Sequence, residues 1–341
     1  MDKKNIIWIN YIKALAIIAV YLIHVQVIYG YSIGFLLKLI NPWFVNAFFF
    51  VSGYLIYRKQ LTRPIIDQDG IDYLLGGGRI SFLNIFYRII IPSVIFASIE
   101  YVPSCLIQGR NLSLASFLFK TIGGGTYWFT SALVVAEIAT ILLLISRKRN
   151  MEFYFLISFL IGSIGIALQH GAFANEIWAY HRGVIAVMFL AFGGLYWKYE
   201  FIINKFMKWY FLVVLTLIYI FIICLCPENS SLISTHTLQP LGVLSALIAI
   251  VLLIKGCQYI PHNYILTFIG QNTLMFYFLS GALPILLSAM AHKLISGTYL
   301  VVMLFVLFLS LLLAYIVTFI LIKYAPWCFD LRKIAKPLSN V

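Results

Sequence analysis

Charged residues are scarce in this chain of 341 residues. They make up only 10% of it, against 63% hydrophobic residues, and the mean hydropathy is +0.99. A soluble domain carries roughly 25% charged residues. The composition therefore excludes a soluble globular protein and predicts a polytopic membrane protein. We expect an all-α bundle of transmembrane helices.

Cysteine is also rare and forms no recognisable motif. The five cysteines lie scattered in or beside apolar segments, without a CxxC pair or a His/Cys cluster. This pattern excludes a zinc or redox motif, and we predict no metal site. We expect all five to be small buried apolar side chains: Cys105, Cys224, Cys226, Cys257 and Cys328.

Acidic residues number only 11 against 24 Lys and Arg, which gives a net charge of +13. Such a charge is typical of nucleic-acid-binding proteins, but here the basic residues follow the predicted topology. A spanning helix needs about 20 mostly apolar residues. Ten segments are predicted to span the membrane: 6–29, 42–58, 82–107, 128–146, 152–169, 183–199, 207–226, 239–257, 265–289 and 299–323.

Ten spans place both termini on one side, and most Lys and Arg lie in the segments of that side. The positive-inside rule assigns that side to the cytoplasm. We therefore predict a multi-pass cell-membrane protein with both termini cytoplasmic and a short cytosolic tail at 324–341. Its basic residues are expected to contact anionic lipid headgroups, with no nucleic-acid partner. We expect the first span to target the chain without a cleaved signal peptide, because a small-residue cleavage pattern is lacking. The sequence indicates no particular oligomeric state.

Two glycine triplets interrupt the apolar pattern. The first, at 76–78, lies in the longest predicted cytosolic loop, 58–81. This loop is longer than a helical bundle needs, which indicates a functional role. The second triplet, at 123–125, is expected to bend the chain before Tyr127 and Trp128.

A polar seam runs along the first apolar segment. Lys13 and His24 are eleven residues apart, which puts them on one helical face within about 20° and roughly 16 Å apart along the axis. Asn10 and Tyr21 each lie three residues before one of them, on the same face. Polar groups on a membrane helix favour the protein interior or a watery cavity, and they indicate function. The alternatives are that Lys13 reaches back to the headgroups and that His24 caps a core hydrogen bond.

The same segment, "INYIKALAIIAVYLIH", resembles the first helix of the membrane acyltransferase-3 family. That helix carries the pattern D-x-x-R, then apolar residues, then His. The match assigns Asn10, Lys13 and His24 to these three positions, with Asn in place of Asp and Lys in place of Arg. Lysine keeps the positive charge of the family's arginine.

Further segments resemble the family in chain order. "FFFVSGYLIYRK", 48–59, is similar to its second helix with a Phe-Phe-x-x-Ser-Gly core, and "YRIIIP", 87–92, is similar to the start of its third. Many members carry two arginines three residues apart there, whereas this chain has Ile85 and Arg88. "GGTYWFTSALVV", 124–135, resembles the aromatic entry to the fourth helix.

Two later segments, "AFGGLYWKYE" at 191–200 and "FIGQNTLMFYFL" at 268–279, also resemble family segments. The second often ends in a histidine, where this chain has Ser280. The most specific motifs cover residues 6–135, and we predict a single integral-membrane acyltransferase domain over 1–341.

The resemblance implies an enzyme that moves an acyl group, commonly acetyl, from acyl-CoA to a hydroxyl of a cell-surface polysaccharide, glycan or lipid-linked sugar. His24 is then expected to act as the general base, or as an acyl-histidine carrier, with Lys13 and Asn10 in the same catalytic set. No tightly bound cofactor is implied, because acetyl-CoA or another acyl-CoA is the donor substrate.

For the donor phosphates the resemblance implies Arg88, with Arg79 and Ser52 as further donor-binding residues. Arginine suits this role because it binds phosphate through two parallel hydrogen bonds. Loop arginines such as Arg79 are also explained by the positive-inside pattern alone.

Five residues are candidates for binding the acceptor: Tyr127, Trp128, Glu137, His181 and Arg182. A carboxylate in mid-span, as at Glu137, is costly and indicates function. The alternative is a bond to another helix, with Lys13 as a conceivable partner. Aromatic belts and interface anchoring are the alternatives for the other four residues.

Ten helices with a polar seam are also compatible with a transporter or exporter of a polysaccharide or lipid-linked sugar unit. Transport gives no reason for a base at the depth of His24, and no interrupted helices in equivalent halves are evident. A third interpretation is a non-catalytic membrane subunit or sensor, in which changing His24 leaves acylation unaffected.

Overall fold

The computed structural model describes residues 4–29, 34–61, 82–107, 109, 111–146, 151–168, 177–225, 240–294 and 299–329. Over these residues every regular element is helical and no strand is present. Six of the helices are long and apolar enough to cross a membrane, and three shorter apolar helices accompany them. The protein is an all-α polytopic membrane protein, as the composition predicts.

In chain order the helices are α1 (Lys4–Tyr29), α2 (Phe35–Ile40), α3 (Asn46–Leu61), α4 (Phe82–Ile85), α5 (Ile91–Ile107), α6 (Leu114–Thr121), α7 (Trp128–Ser146), α8 (Met151–Ala167), α9 (Tyr180–Phe206), α10 (Trp209–Leu225), α11 (Pro240–Tyr259), α12 (Tyr264–Gln271), α13 (Thr273–Leu294) and α14 (Tyr299–Tyr324). A π-helical turn at Phe86–Ile90 joins α4 to α5, and 3₁₀ turns lie at Ile177–Ala179 and Pro326–Cys328.

The predicted spans largely coincide with these helices, and the main difference concerns 265–289. This segment is two helices, α12 and α13, which are separated at Asn272. Asn272 leaves the helical region, with φ −110° and ψ 24°, and its side-chain amide donates to the carbonyl of Phe268 over 2.8 Å. Asparagine ends helices in this way because its side chain competes for backbone groups.

The chain forms two compact units, which we describe separately. The first comprises Met1–Phe48 with Asn204–Leu321, and the second Phe49–Ile203 with Ile322–Val341. The single acyltransferase domain over 1–341 stays a prediction.

In the first unit, α1 lies along α12 and α13. The hydroxyl of Tyr11 donates to the carbonyl of Pro261 over 3.0 Å and accepts from the N–H of Asn263 over 2.6 Å. A Cβ added at Gly270 would overlap with the backbone of Asn10. The two backbones therefore meet directly at this point, without a side chain between them.

The C-terminal end of α1 packs in an apolar cluster. Val25 and Tyr29 belong to one buried cluster with Ala291 of α13 and with Met303 and Val306 of α14. This cluster fixes the end of α1 that carries His24.

In the second unit, two glycines bring α3 and α9 into backbone contact. A Cβ added at Gly53 would overlap with the backbone of Leu190, and one at Gly193 with the carbonyl of Phe50. Small residues permit such close approach between membrane helices, where packing replaces the hydrophobic driving force.

Candidate functional site

In the first unit, α1 holds His24 against α13. The Nδ1 atom of His24 lies 2.7 Å from the carbonyl oxygen of Ser280. Because a carbonyl oxygen only accepts hydrogen bonds, Nδ1 carries the proton and donates it. In the neutral imidazole the lone pair then resides on Nε2. His24 is thus oriented by its backbone partner as a ring whose Nε2 can take up a proton.

The polar seam of α1 faces protein at most of its positions. The fully buried hydroxyl of Tyr21 donates to the carbonyl of Phe276 over 2.9 Å. Asn10 is buried, and Lys13 is partly exposed. The contacts advance together along α1 and along the α12–α13 segment, so the two run parallel. The helical period therefore correctly predicts a shared face for Tyr21 and His24.

The residues predicted to bind the acyl donor lie in different elements of the chain. Arg88 lies in the π-helical turn at Phe86–Ile90 and is exposed. Single π turns inside α-helices are rare and frequently occur at functional sites. Ser52 is partly exposed on α3. Arg79 and most of the loop 58–81 lie outside the described residues.

Two of the residues predicted for the acceptor are in direct contact in the second unit. The guanidinium carbon of Arg182 lies 4.3 Å from the centre of the Trp128 ring, which is a cation–π contact. The neighbouring His181 packs on Tyr180 with ring centres 4.2 Å apart. The start of α9 and the start of α7 thus present aromatic and cationic groups together.

Tyr127, which precedes this aromatic position, is buried and bonded to a carboxylate. Its hydroxyl donates to Glu100 over 2.7 Å. Glu100 lies on α5 within the apolar span Phe82–Ile107, where a carboxylate is costly and calls for a partner. Glu100 is not among the site residues predicted from the sequence, although the rule that singles out Glu137 applies equally to it.

The bend expected at the glycine triplet 123–125 is present. Gly124 has φ +73°, and a Cβ there would strike the hydroxyl of Ser131. Glycine is the residue that adopts this backbone region without strain. The Ser131 hydroxyl donates to the Gly124 carbonyl over 3.2 Å, and the N–H of Trp178 donates to the Gly123 carbonyl over 2.8 Å. The bend thus ties the start of α7 to the turn that precedes α9.

A small cavity behind this bend has room for about one water molecule. Its polar lining includes Ser93, Thr121, Thr130 and Ser131. The Ser93 hydroxyl donates to Thr130 over 3.1 Å, and the Thr130 hydroxyl donates to the carbonyl of Tyr127 over 2.9 Å. The cavity is too small for a sugar or a nucleotide, so its hydroxyls serve the local structure.

Glu137 and Lys255 are further ionisable residues within helices. Glu137 is partly exposed on α7. It belongs to the second unit and Lys13 to the first, and the suggested bond between them stays a prediction. Lys255 on α11 is only 6% exposed, and its ammonium donates to the side-chain oxygens of Asn204 and Gln258. From the sequence, Lys255 is predicted only to mark the cytoplasmic side. These bonds offset part of the cost of burying its charge.

A comparison with protein families gives one match. The acyltransferase-3 family model, described as an acyltransferase domain, matches residues 6–319. The match begins in α1, ends in α14 and so includes both units. No curated protein and no solved structure gave a match.

Proposed function

The chain belongs to the acyltransferase-3 family, and from that premise we propose that it is a membrane O-acyltransferase. It moves an acetyl group from acetyl-CoA to a hydroxyl of a cell-surface polysaccharide, glycan or lipid-linked sugar precursor. The observation that carries this proposal is the hydrogen bond between Nδ1 of His24 and the Ser280 carbonyl, which leaves Nε2 as the basic nitrogen.

In the proposed mechanism His24 is the general base. Nε2 takes the proton of the acceptor hydroxyl while the hydroxyl oxygen bonds to the thioester carbonyl carbon. The carbon–sulfur bond then breaks, and the thiolate of CoA takes the proton back from the imidazolium. The ester and free CoA leave, and the ring is neutral again. The hydrogen bond to Ser280 strengthens while the ring is positive, because charged donors form stronger hydrogen bonds.

Lys13 has a different task in this proposal. It lies roughly 16 Å from His24 along α1, too far to touch the same thioester carbonyl. We assign it to an anionic part of the extended acyl-CoA molecule, with Asn10 one turn earlier as a hydrogen-bonding neighbour.

Arg88 is the main residue that we assign to the phosphates of the donor, with Arg79 and Ser52 as further contacts. The π-helical turn around Arg88 supports this assignment, because the local widening of the helix occurs at a basic residue. The donor side is cytosolic in this proposal, with both chain termini in the cytoplasm and the protein in the cell membrane.

We assign the acceptor to residues near the starts of α7 and α9. The Trp128–Arg182 contact supports it, since an aromatic face suits a sugar ring and a guanidinium suits an anionic substituent. Tyr127, His181 and Glu137 are the remaining proposed acceptor contacts.

The test is acyl transfer in isolated membranes. Parent and His24→Ala proteins are expressed at matched levels, radiolabelled acetyl-CoA is added, and label is counted in the glycan and glycolipid fractions. We expect the parent to transfer label and His24→Ala to lose about 10²- to 10⁴-fold in rate, which is the usual contribution of a general base. Label that stays on the protein when acceptor is withheld would indicate an acyl-histidine carrier instead.

His262→Ala is the matched control, because this histidine is exposed in the loop before α12. It should transfer label at the parental rate. Equal labelling by the parent and by His24→Ala would exclude His24 as the base. A folded parent that transfers no label from any of several acyl donors would contradict the proposed reaction.

A further inference from the structure

The helix that faces His24 contains a proline. α13 runs from Thr273 to Leu294 and continues through the buried Pro284. In an α-helix the carbonyl of each residue accepts the N–H of the residue four positions later. Proline has no N–H, and its ring also crowds the carbonyl four residues before it. The carbonyl affected by Pro284 is that of Ser280.

The Ser280 carbonyl is the group to which His24 donates. The distance from Nδ1 to this oxygen is 2.7 Å, and Ser280 is 1% exposed. The Ser280 hydroxyl is engaged elsewhere, since it donates to the carbonyl of Tyr277 over 2.7 Å. In a membrane helix, backbone groups released by proline are normally satisfied by neighbouring helices. Here the neighbouring helix is α1, and the donor is an imidazole.

We propose that Pro284 is a positioning residue for His24. By withholding the N–H of position 284, it leaves the Ser280 carbonyl to the imidazole and tilts it away from the helix axis. The imidazole then keeps its proton on Nδ1 and its lone pair on Nε2. This inference rests on the proposed function for its catalytic consequence, but the hydrogen bond itself can be tested independently of activity.

The hydrogen bond of Tyr21, one turn before His24, does not depend on a proline. Tyr21 donates to the carbonyl of Phe276, whose helical partner is the N–H of Ser280. That carbonyl serves a helix bond and a side chain together, through its two lone pairs. The Tyr21 bond therefore needs no proline, and a hydroxyl has no tautomer to select. Only the imidazole depends on which of its two nitrogens finds an acceptor.

The experiment uses the full chain in lipid nanodiscs with ¹⁵N-labelled histidine. The chain has six histidines, so a His24→Gln sample identifies the His24 signals. Long-range ¹H–¹⁵N spectra then report which ring nitrogen carries the proton. We expect the Nδ1–H form in the parent and a shift toward the Nε2–H form in Pro284→Ala, because the new N–H competes for the Ser280 carbonyl.

A kinetic measurement accompanies the spectra. If the rate follows the fraction of His24 with its lone pair on Nε2, Pro284→Ala should lower kcat about tenfold with little change in KM. Pro284→Ser introduces the same N–H and is measured in parallel, so the outcome does not depend on one variant folding. Pro103→Ala is the matched control, because Pro103 also lies inside an apolar helix. The carbonyl that it affects belongs to Ile99, and Ile99 is 65% exposed.

The inference is overturned if His24 is the Nε2–H form in the parent, or if both Pro284 variants keep the parental tautomer. It is also overturned if Pro103→Ala shifts the tautomer as strongly. Failure of the proposed function looks different: His24→Ala would keep its transferase activity while the tautomer shift in Pro284→Ala still occurred.

Discussion

Gly270→Ala tests whether the approach of α12 to α1 positions His24. The added Cβ would lie 2.0 Å from the carbonyl oxygen of Asn10, whereas ordinary contacts of a Cβ begin near 3.4 Å. The two backbones must therefore separate by about 1.4 Å. The obstacle is main chain, so no change of side-chain rotamer relieves it.

The consequence for the site follows from its geometry. If the 1.4 Å displacement passes through Asn272 into α13, the distance from Nδ1 of His24 to the Ser280 oxygen grows from 2.7 Å to about 4.1 Å. At about 3.6 Å a hydrogen bond no longer exists. A misplacement of about 1 Å can cost a factor of 10² in rate, so we expect kcat to fall between about tenfold and 10²-fold. Overpacking should also destabilise the fold by about 1–3 kcal/mol.

The assay measures acetyl transfer and thermal unfolding of the purified variant, with Gly256→Ala as the control. A Cβ at Gly256 meets nothing within 4 Å, and alanine in a helix is favoured over glycine by about 0.5–1 kcal/mol. The control should therefore keep its activity and unfold at the same temperature or higher. Parental activity and parental Tm in Gly270→Ala would refute the reasoning.

Two further predictions concern the acceptor side. Tyr127→Phe leaves the Glu100 carboxylate without this donor and should destabilise the fold by about 1–3 kcal/mol, most of which Glu100→Gln should restore. A double-mutant cycle that shows no coupling energy between Tyr127 and Glu100 would contradict the predicted contribution of their hydrogen bond to stability. Arg182→Lys keeps the charge but loses the planar contact with Trp128, worth about 0.5–2 kcal/mol. The KM for the acceptor should rise with kcat nearly unchanged, and an unaltered KM would exclude Arg182 from acceptor binding.

The helices could be predicted from the sequence because hydropathy alone decides which segments leave water. The break at Asn272 could not be placed in the same way, since the apolar run continues through it and a single side-chain hydrogen bond ends the helix. The π-helical turn at Arg88 also lies inside a long apolar span, so no sequence pattern marks it. The glycine bend at 123–125 was predictable, because three consecutive glycines have few other uses.

Within the site, helical spacing predicts which side chains of α1 share a face but not what they contact. Tyr21 and His24 bind carbonyls of Phe276 and Ser280, which are groups that every residue possesses. Pro284 was the usable signal, since its missing N–H indicates which carbonyl is released. The contact between Trp128 and Arg182 joins distant parts of the sequence, so only the fold reveals it.

The bonds from Tyr11, Tyr21 and His24 to α13 and to the loop before α12 pair side chains of α1 with main-chain groups. All three side chains donate to main-chain carbonyls, and the Tyr11 hydroxyl also accepts from the N–H of Asn263. Substitutions at Phe276 or Ser280 on α13 therefore leave the acceptor carbonyl in place and need no compensating change in α1. Pairwise covariation between these segments would be weak even though the catalytic geometry depends on their contact. Ser280 contributes only its carbonyl to the bond with His24, so another side chain at this position keeps the acceptor.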